Sequence, residues 1–405
     1  MMERTRIGID IAKDLFHLVG MDSRGKKLWR KALRRQRVLE WLAQIEPAQV
    51  GMEACATAHH WAREIQQLGH QVKLIHPTFV IPYRKSSKND FNDAEAICEA
   101  MSRANMRFVE IKTLEQQDLQ TLHRIRRLAI KQRTQVANHL RGLLAEYGIA
   151  VRQGITPLRR EATELAAETG RLTSGMRRAV TDNLEQLELL DRQLRALDRD
   201  IASYCRTDER CRRVAEVPGV GPLTATAIVA KVGNARQFPN GRALSAFLGL
   251  VPGQNSSGGK NVLLPITKKG DRYLRTLLIH GGRAMLNVAG RHDDPRSQWA
   301  LRLRRKRGPN VAAVALANKN ARVLWKLLSS GEYFQTQPPA LSASHDCGDH
   351  NNLGPLVSRR QPDIDEEGAR KGSQPKEKPK LSAPALPVYP PRAPSPHTAP
   401  TIFTK

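Results

Sequence analysis

Arg6-Ile7-Gly8-Ile9-Asp10 and, after Ile11-Ala12-Lys13-Asp14, Leu15-Phe16-His17-Leu18-Val19-Gly20-Met21-Asp22 are the stretches from which the fold is read. Both are short apolar runs and read as buried or half-buried strands. Ser23-Arg24-Gly25 supplies a tight turn, and Lys27-Leu28-Trp29-Arg30-Lys31-Ala32-Leu33 alternates as a third strand would. The expectation is a three-stranded antiparallel meander with Asp10 on its first strand. Val50-Gly51-Met52-Glu53-Ala54 is a further strand, followed by a helix from about Ala58 to Leu68 and a strand Gln71-Val72-Lys73-Leu74-Ile75. This β-α-β order makes a parallel pair and sets Glu53 at the carboxyl end of its strand, where open α/β sheets bind ligands.

Glu53 is therefore expected close to Asp10. Asn89 caps a run of helix formers from Asp90 to Met101, so Asp90 and Asp93 share one face of a first helical turn. Four carboxylates aimed at one point suit Mg²⁺, which takes oxygen ligands and shares substrate phosphates, better than a Cys/His cage would. Two such ions would activate a nucleophile and stabilise the leaving oxygen of an in-line displacement. Read singly, each acid is as readily a helix cap or a solvated strand end.

The charge balance points to the same chemistry. Lys and Arg number 66 against 39 Asp and Glu, a net +27, so the chain attracts a polyanion, and nucleic acid is the natural partner. Aromatic residues are only 5%, which argues against base stacking and for salt-sensitive phosphate contacts. At 405 residues and 40% hydrophobic content the chain supports two or three cored domains. No apolar run approaches a bilayer span and no signal-peptide core follows the first residues, so a soluble, cytoplasmic protein is expected. Five unevenly spaced cysteines read as reduced thiols, with Cys205 and Cys211 structural and no zinc spacing. His59 and His60, adjacent on a helix, read as packing and solvent contacts.

From Leu114 to about Tyr147 the sequence is polar and helix-favouring. After a break near Gly154 to Pro157, Leu187, Leu190, Leu194, Leu197 and Ile201 step by three and four as a coiled-coil seam. Two long antiparallel helices are expected, joining domains or subunits, with Arg192, Arg195, Asp198 and Arg199 on a solvated face. Val217-Pro218-Gly219-Val220-Gly221-Pro222 resembles a helix-hairpin-helix turn, whose Gly219 and Gly221 would let backbone N–H groups approach a phosphate; a plain tight turn is the alternative. Ser256-Ser257-Gly258-Gly259-Lys260 is a small polar loop in which a serine could attack phosphorus, or simply a flexible loop. Lys260, Lys268, Lys269, Arg272, Arg275 and the run Arg302 to Arg307 are candidate phosphate contacts or solvated faces. From about Gln335 the chain holds more than half of its 24 prolines and reads as disordered.

Taken in order, the Val-Gly-Met-Glu-Ala-Cys segment around Glu53, Asn89-Asp90-Phe91-Asn92-Asp93-Ala94, Val217 to Gly221, Gly249-Leu250-Val251-Pro252 with Ser256 to Lys260, and Ile266-Thr267-Lys268-Lys269-Gly270-Asp271 resemble the IS110-family transposases, nearer the IS1111 branch. The similarity covers about Arg6 to Leu328. It implies α/β plus α architecture: an RNase H-like (RuvC-like) catalytic domain over 1–111, a coiled-coil region over 112–210, and a mostly helical transposase domain over 211–334, ahead of a tail over 335–405. It also implies an Asp-Glu-Asp-Asp tetrad at Asp10, Glu53, Asp90 and Asp93 holding Mg²⁺, and a nucleophilic serine at Ser257, with Ser256 the adjacent alternative. The further implications are a homo-oligomer in which the acidic site and the serine come from different subunits, and a bridge RNA that pairs with donor and target DNA. The other readings are a junction-resolving endonuclease, which needs the acids and no serine, and a non-catalytic nucleic-acid-binding remnant.

Overall fold

The computed structural model describes residues 5–85, 89–257 and 262–335. Lys260, Cys347 and the proline-rich segment from 336 onward lie outside the described residues. The chain begins with the meander: β1 (Arg6–Asp10), β2 (Leu15–Met21) and β3 (Lys27–Arg34) pair antiparallel in succession. A short helix α1 (Val38–Ala43) leads to β4 (Gln49–Glu53), and α2 (Ala58–Gln67) crosses over to β5 (Gln71–Ile75). β4 is parallel to both β1 and β5, as the β-α-β reading requires. One-turn α3 (Pro77–Val80), then α4 (Asp90–Met101) and the two-residue β6 (Phe108–Val109) complete the unit, giving a six-stranded sheet in the order β3-β2-β1-β4-β5-β6.

Side-chain alternation along the strands makes this a three-layer unit. Ile7, Ile9, Phe16, Leu18, Val50 and Met52 point to one face, where they form a core with α1 and α2 through Leu42, Trp61 and Ile65. The opposite face lies under α4. There β1 and β4 present Gly8 and Gly51, which are register partners. A Cβ on Gly8 would stand 2.0 Å from the Ala94 carbonyl oxygen, and one on Gly51 would press on Ile97 and Met101. The two missing side chains let α4 lie directly on the sheet.

The helical remainder starts with α5 (Leu114–Ala145), whose N-terminus is closed by a capping box between Thr113 and Gln116. α6 (Ile155–Ala167) and α7 (Ser174–Thr207) follow. α5 and α7 run antiparallel, because Arg126 pairs with Asp198 at 2.5 Å while Arg133, farther along α5, pairs with Asp191, earlier in α7, at 2.9 Å. Of the expected seam, Leu187, Leu190, Leu194 and Ile201 are buried and Leu197 is half-buried. Asp198, expected on a solvated face, is half-exposed and also engaged by Arg126. At the far end α6 joins the pair through Leu158, Ala162 and Leu165, and Arg159 reaches Asp191 at 2.6 Å.

α8 (Glu209–Ala215), α9 (Pro222–Val232) and α10 (Gly241–Phe247) lead into a hairpin of β7 (Pro252–Gln254) and β8 (Leu263–Ile266). α11 (Arg272–Val288), α12 (Pro295–Arg307) and α13 (Pro309–Ser330) close the chain. Their core gathers Val214, Val220, Ile228, Leu244, Leu274 and Leu324, with Cys205 and Cys211 buried in it as free thiols. Gln120 donates to the Ala230 carbonyl at 2.7 Å, so α5 satisfies an acceptor in the last turn of α9. Among the described residues no helix is long and apolar enough to cross a membrane.

Candidate active site

Ile9 pairs with Met52, so Asp10 and Glu53, the next residues, end neighbouring parallel strands at equivalent positions. By alternation they share the face of Gly8 and Gly51, which is the face covered by α4. The first turn of α4 then delivers Asp90 and Asp93 to the same edge, and its entry is fixed by Asn89, whose side chain accepts from the Phe91 N–H at 3.0 Å. Three separate elements thus bring four carboxylates within electrostatic reach. Burial pushes the Asp10 carboxyl up to about 6, and the charges of Asp93, Asp90 and Glu53 push in the same direction, with His17 opposing.

Two neighbours of the acids escaped the sequence reading. His17 is the register partner of Asp10 across the antiparallel pair, and its Nδ1 lies 3.4 Å from Asp90 Oδ2. Its place on the strand, at the parity of Val19 and Met21, was the available signal. Arg84 places Nε 2.5 Å from Oδ1 of the buried Asp93, an ion pair outside hydrogen-bonding geometry that leaves both atoms without a hydrogen-bond partner. Nothing in the local sequence announces that contact.

All four acids offer hard oxygen donors, and mutual repulsion adds to burial in raising Asp10, so the donor chemistry fits a divalent ion. Among the described residues, however, no three His, Cys, Asp or Glu side chains already surround one point as ligands. Asp93 pairs with Arg84, and Asp90 lies beside His17.

The serine hairpin is a separate feature. Ser256 and Ser257 are exposed at its tip, and the Ser256 hydroxyl accepts from Gln254 Nε2 at 2.9 Å. Among the described residues β7 and β8 pair with each other and share no extensive contact with β1, β4 or α4. Exposed Lys268, Lys269 and Arg272 follow the hairpin, with Lys268 in the left-handed region at φ 55°. Arg275 requires a correction. It is buried, and its guanidinium donates to the carbonyls of Leu248 at 3.1 Å and Lys269 at 3.2 Å, so it braces the loop before α11 and does not face a nucleic acid. At the glycine turn, Gly219 has φ 84° and meets α11 backbone: a Cβ there would stand 2.6 Å from the Gly281 carbonyl oxygen. Gly221 faces open space at the start of α9.

The other cysteines and histidines hold no metal cluster among the described residues. Cys55 is exposed and Cys98 buried, both free. His59 makes polar contacts with Lys112, its Nε2 lying 2.7 Å from Nζ and its Nδ1 accepting from the backbone N–H at 3.3 Å.

Comparison with known proteins finds two matches along the chain. Residues 7–149 match the model of a DEDD transposase of the IS110 type, described as "Transposase", and residues 211–298 match "Transposase IS116/IS110/IS902 family". The chain is 46% identical to a "Probable family 20 transposase" of Pseudomonas aeruginosa over 330 residues, which is 81% of this chain and 98% of the relative. It is 45% identical to the "Transposase for insertion sequence element IS1111A" of Coxiella burnetii, covering 81% of this chain and 91% of that protein. Identity to the transposase of element IS1328 from Yersinia enterocolitica is 39%, covering 82% and 98%.

Proposed function

Since the chain belongs to the IS116/IS110/IS902 family of transposases and is thereby a DNA recombinase, we propose that it excises and integrates its element through Ser257, assisted by a divalent-ion site on Asp10, Glu53, Asp90 and Asp93. The observation that carries this is the convergence of the four acids from β1, β4 and α4 upon Asp10. The strand order, with β2 antiparallel and β4 and β5 parallel to β1, supports an RNase H-like reading of residues 1–111. We assign 112–210 to a coiled-coil arm, 211–334 to the serine-bearing domain with its helix-hairpin-helix-like turn, and leave 335–405 as a tail.

The serine step balances simply. Ser257 Oγ forms a bond to a DNA phosphorus, one bridging P–O bond breaks, the hydroxyl proton leaves, and the departing strand oxygen gains one. The energy of the broken ester is kept in the new one, so a second strand hydroxyl can rejoin the DNA by the reverse attack. Asp10, Glu53, Asp90 and Asp93 would hold the divalent ion, which when bound would neutralise charge on the phosphate oxygens. Arg84 and His17, each beside one acid, hold Asp93 and Asp90 at that edge.

Separation of hairpin and acids within one chain favours assembly from two or more copies, each lending its serine to another's acids. Exposed Leu114, Ile125 and Leu128 on α5 offer a surface for that assembly. A non-coding bridge RNA that pairs with donor and target completes the reading, and the charge of +27 suits such a polyanion. The test is a Mg²⁺-dependent strand-exchange assay with the element's flanks and its transcribed non-coding segment, followed by mapping of any protein–DNA adduct. Cleavage that persists in Ser257→Ala would instead identify a junction-resolving endonuclease.

A further inference from the structure

A small cavity of about 90 Å³ lies between α5, α9 and the start of α11, and its lining includes His123, Arg124, Arg127, Lys231, Asp271 and Tyr273. Its floor is uncharged. Thr226 donates to the Pro222 carbonyl at 2.8 Å and so accepts from His123 Nε2 at 3.0 Å, which leaves Nδ1 to accept from the Tyr273 hydroxyl at 3.0 Å. Burial, with Arg126 adding to it, holds His123 down at about 4.

The walls are cationic, and the cations come from separate parts of the chain. Arg124 and Arg127 stand exposed on α5 and Lys231 half-buried on α9. Half-buried Lys112, just before α5, lies within their field: burial first, then Lys231 and Arg124, bring its amine down to about 8. Arg63 on α2 adds a further charge and ties itself to the Lys112 carbonyl at 2.6 Å. Against these, Asp271 is the one carboxylate among the described residues within ion-pair range, 3.5 Å from Lys231, and its Oδ1 already caps α11 through Tyr273 and Leu274. Like charges gathered in a partly desolvated niche repel unless an anion joins them.

We propose that this niche is a phosphate pocket that grips one phosphodiester of a nucleic-acid strand passing between α5 and α9. The volume admits a phosphate but falls well short of the roughly 300 Å³ that a whole nucleotide-sized ligand needs. Guanidinium forks match the planar pairs of phosphate oxygens, and the exposed positions of Arg124 and Arg127 leave the strand room to enter and leave. A strand held there would also neutralise the seam where α2, the segment before α5, and α9 meet. The inference rests on nucleic acid being the substrate, as proposed above, but not on the chemistry at Ser257.

The experiment is equilibrium binding of the full chain, without Mg²⁺, to labelled duplex DNA and to labelled single-stranded RNA across a salt series. For R124Q/K231Q we expect affinity to fall about tenfold near physiological salt, and the slope of log K against log salt to flatten by about 0.9 on duplex or 0.7 on single strands for each phosphate that the protein no longer neutralises. The charge-conserving R124K/K231R restores most of the affinity. A weakening confined to one polymer names the source of the phosphate. Unchanged affinity and slope on both polymers, or a weakening that R124K/K231R does not rescue, overturns the proposal. Should R124Q/K231Q melt far below the parent, R127Q on the exposed rim replaces it with the same criteria. Wild-type protein that binds but exchanges no strands would refute the serine mechanism and leave this result standing.

Discussion

Replacing Asp10 with asparagine should stabilise the metal-free protein at pH 7.5 while abolishing strand exchange. The wild-type carboxyl ordinarily ionises near 3.8 and here does so near 6, because it is partly buried and faces Asp93, Asp90 and Glu53. That displacement corresponds to about 3 kcal/mol; as Asp10 is only half-buried, water screens part of it and about 1–2 kcal/mol remains. The sign follows from linkage. A raised folded value means that the protonated form is the one folding favours, so the benefit is complete below 3.8 and disappears as pH rises through 6. At pH 7.5 the ionised Asp10 therefore opposes folding, and asparagine, of nearly the same shape, removes the opposition. Urea unfolding of both proteins, free of metal at pH 7.5 and again at pH 4.5, should show an advantage for Asp10→Asn that shrinks on acidification. Millimolar Mg²⁺ should then reverse the order, since an ion bound at 100 times its Kd stabilises the wild type by about 2.7 kcal/mol. An Asp10→Asn protein no more stable at pH 7.5, or equally favoured at both pH values, would refute the view that the four acids press on one another.

Three further outcomes are expected. Ser257→Ala should lower strand exchange by about 10⁴-fold or more and leave no covalent DNA adduct on denaturing gels, whereas Ser256→Ala retains the adduct; the reverse pattern moves the nucleophile one residue back. Gly8→Ala should destabilise by about 2–3 kcal/mol, because its methyl group meets the Ala94 carbonyl oxygen. Gly142→Ala, in open space on α5, should instead stabilise by roughly 0.5–1 kcal/mol; equal effects at the two glycines would show that α4 does not rest on β1. His59 and His123 are both held at about 4, by burial first, with Lys112 next for His59 and Arg126 next for His123. The stability their neutral forms confer is full above 6.5 and is lost as pH falls through 4, so His123→Gln should flatten the acid limb of urea midpoints between pH 7 and 4.5 relative to wild type, and an unaltered limb would count against it.

What the sequence disclosed and what it withheld follow from the range of the forces involved. The placement of Asp10 and Glu53 at strand ends and of Asp90 and Asp93 in a first helical turn was legible because each is set locally, by a strand's alternation or by an Asn89 cap. The antiparallel arm was legible because a leucine stripe at helical spacing needs a partner. Gly8 and Gly51 carried no sign of their task, since the use of a missing side chain depends on which helix lies above it, and α4 is some 80 residues from β1 in sequence. Arg275 misled for the opposite reason: a cation in a basic stretch reads as a surface contact until folding turns it onto the Leu248 and Lys269 carbonyls. The His123, Thr226 and Tyr273 chain joins three helices and has no local signature at all. Two-residue β6 and one-turn α3 are shorter than any period on which a pattern could be judged.

The 32 residues of α5 rise 1.5 Å each and therefore project the α6 end of the arm about 48 Å from Leu114. Its reach is adjustable only in coarse steps. Deleting one residue from α5 alone rotates everything beyond by about 100° and unseats Arg133 from Asp191, whereas removing seven from each of α5 and α7 shortens the span by about 10 Å with both stripes still face to face. The separation between the two ends of the arm is in this way tied to a ruler graduated in helical turns.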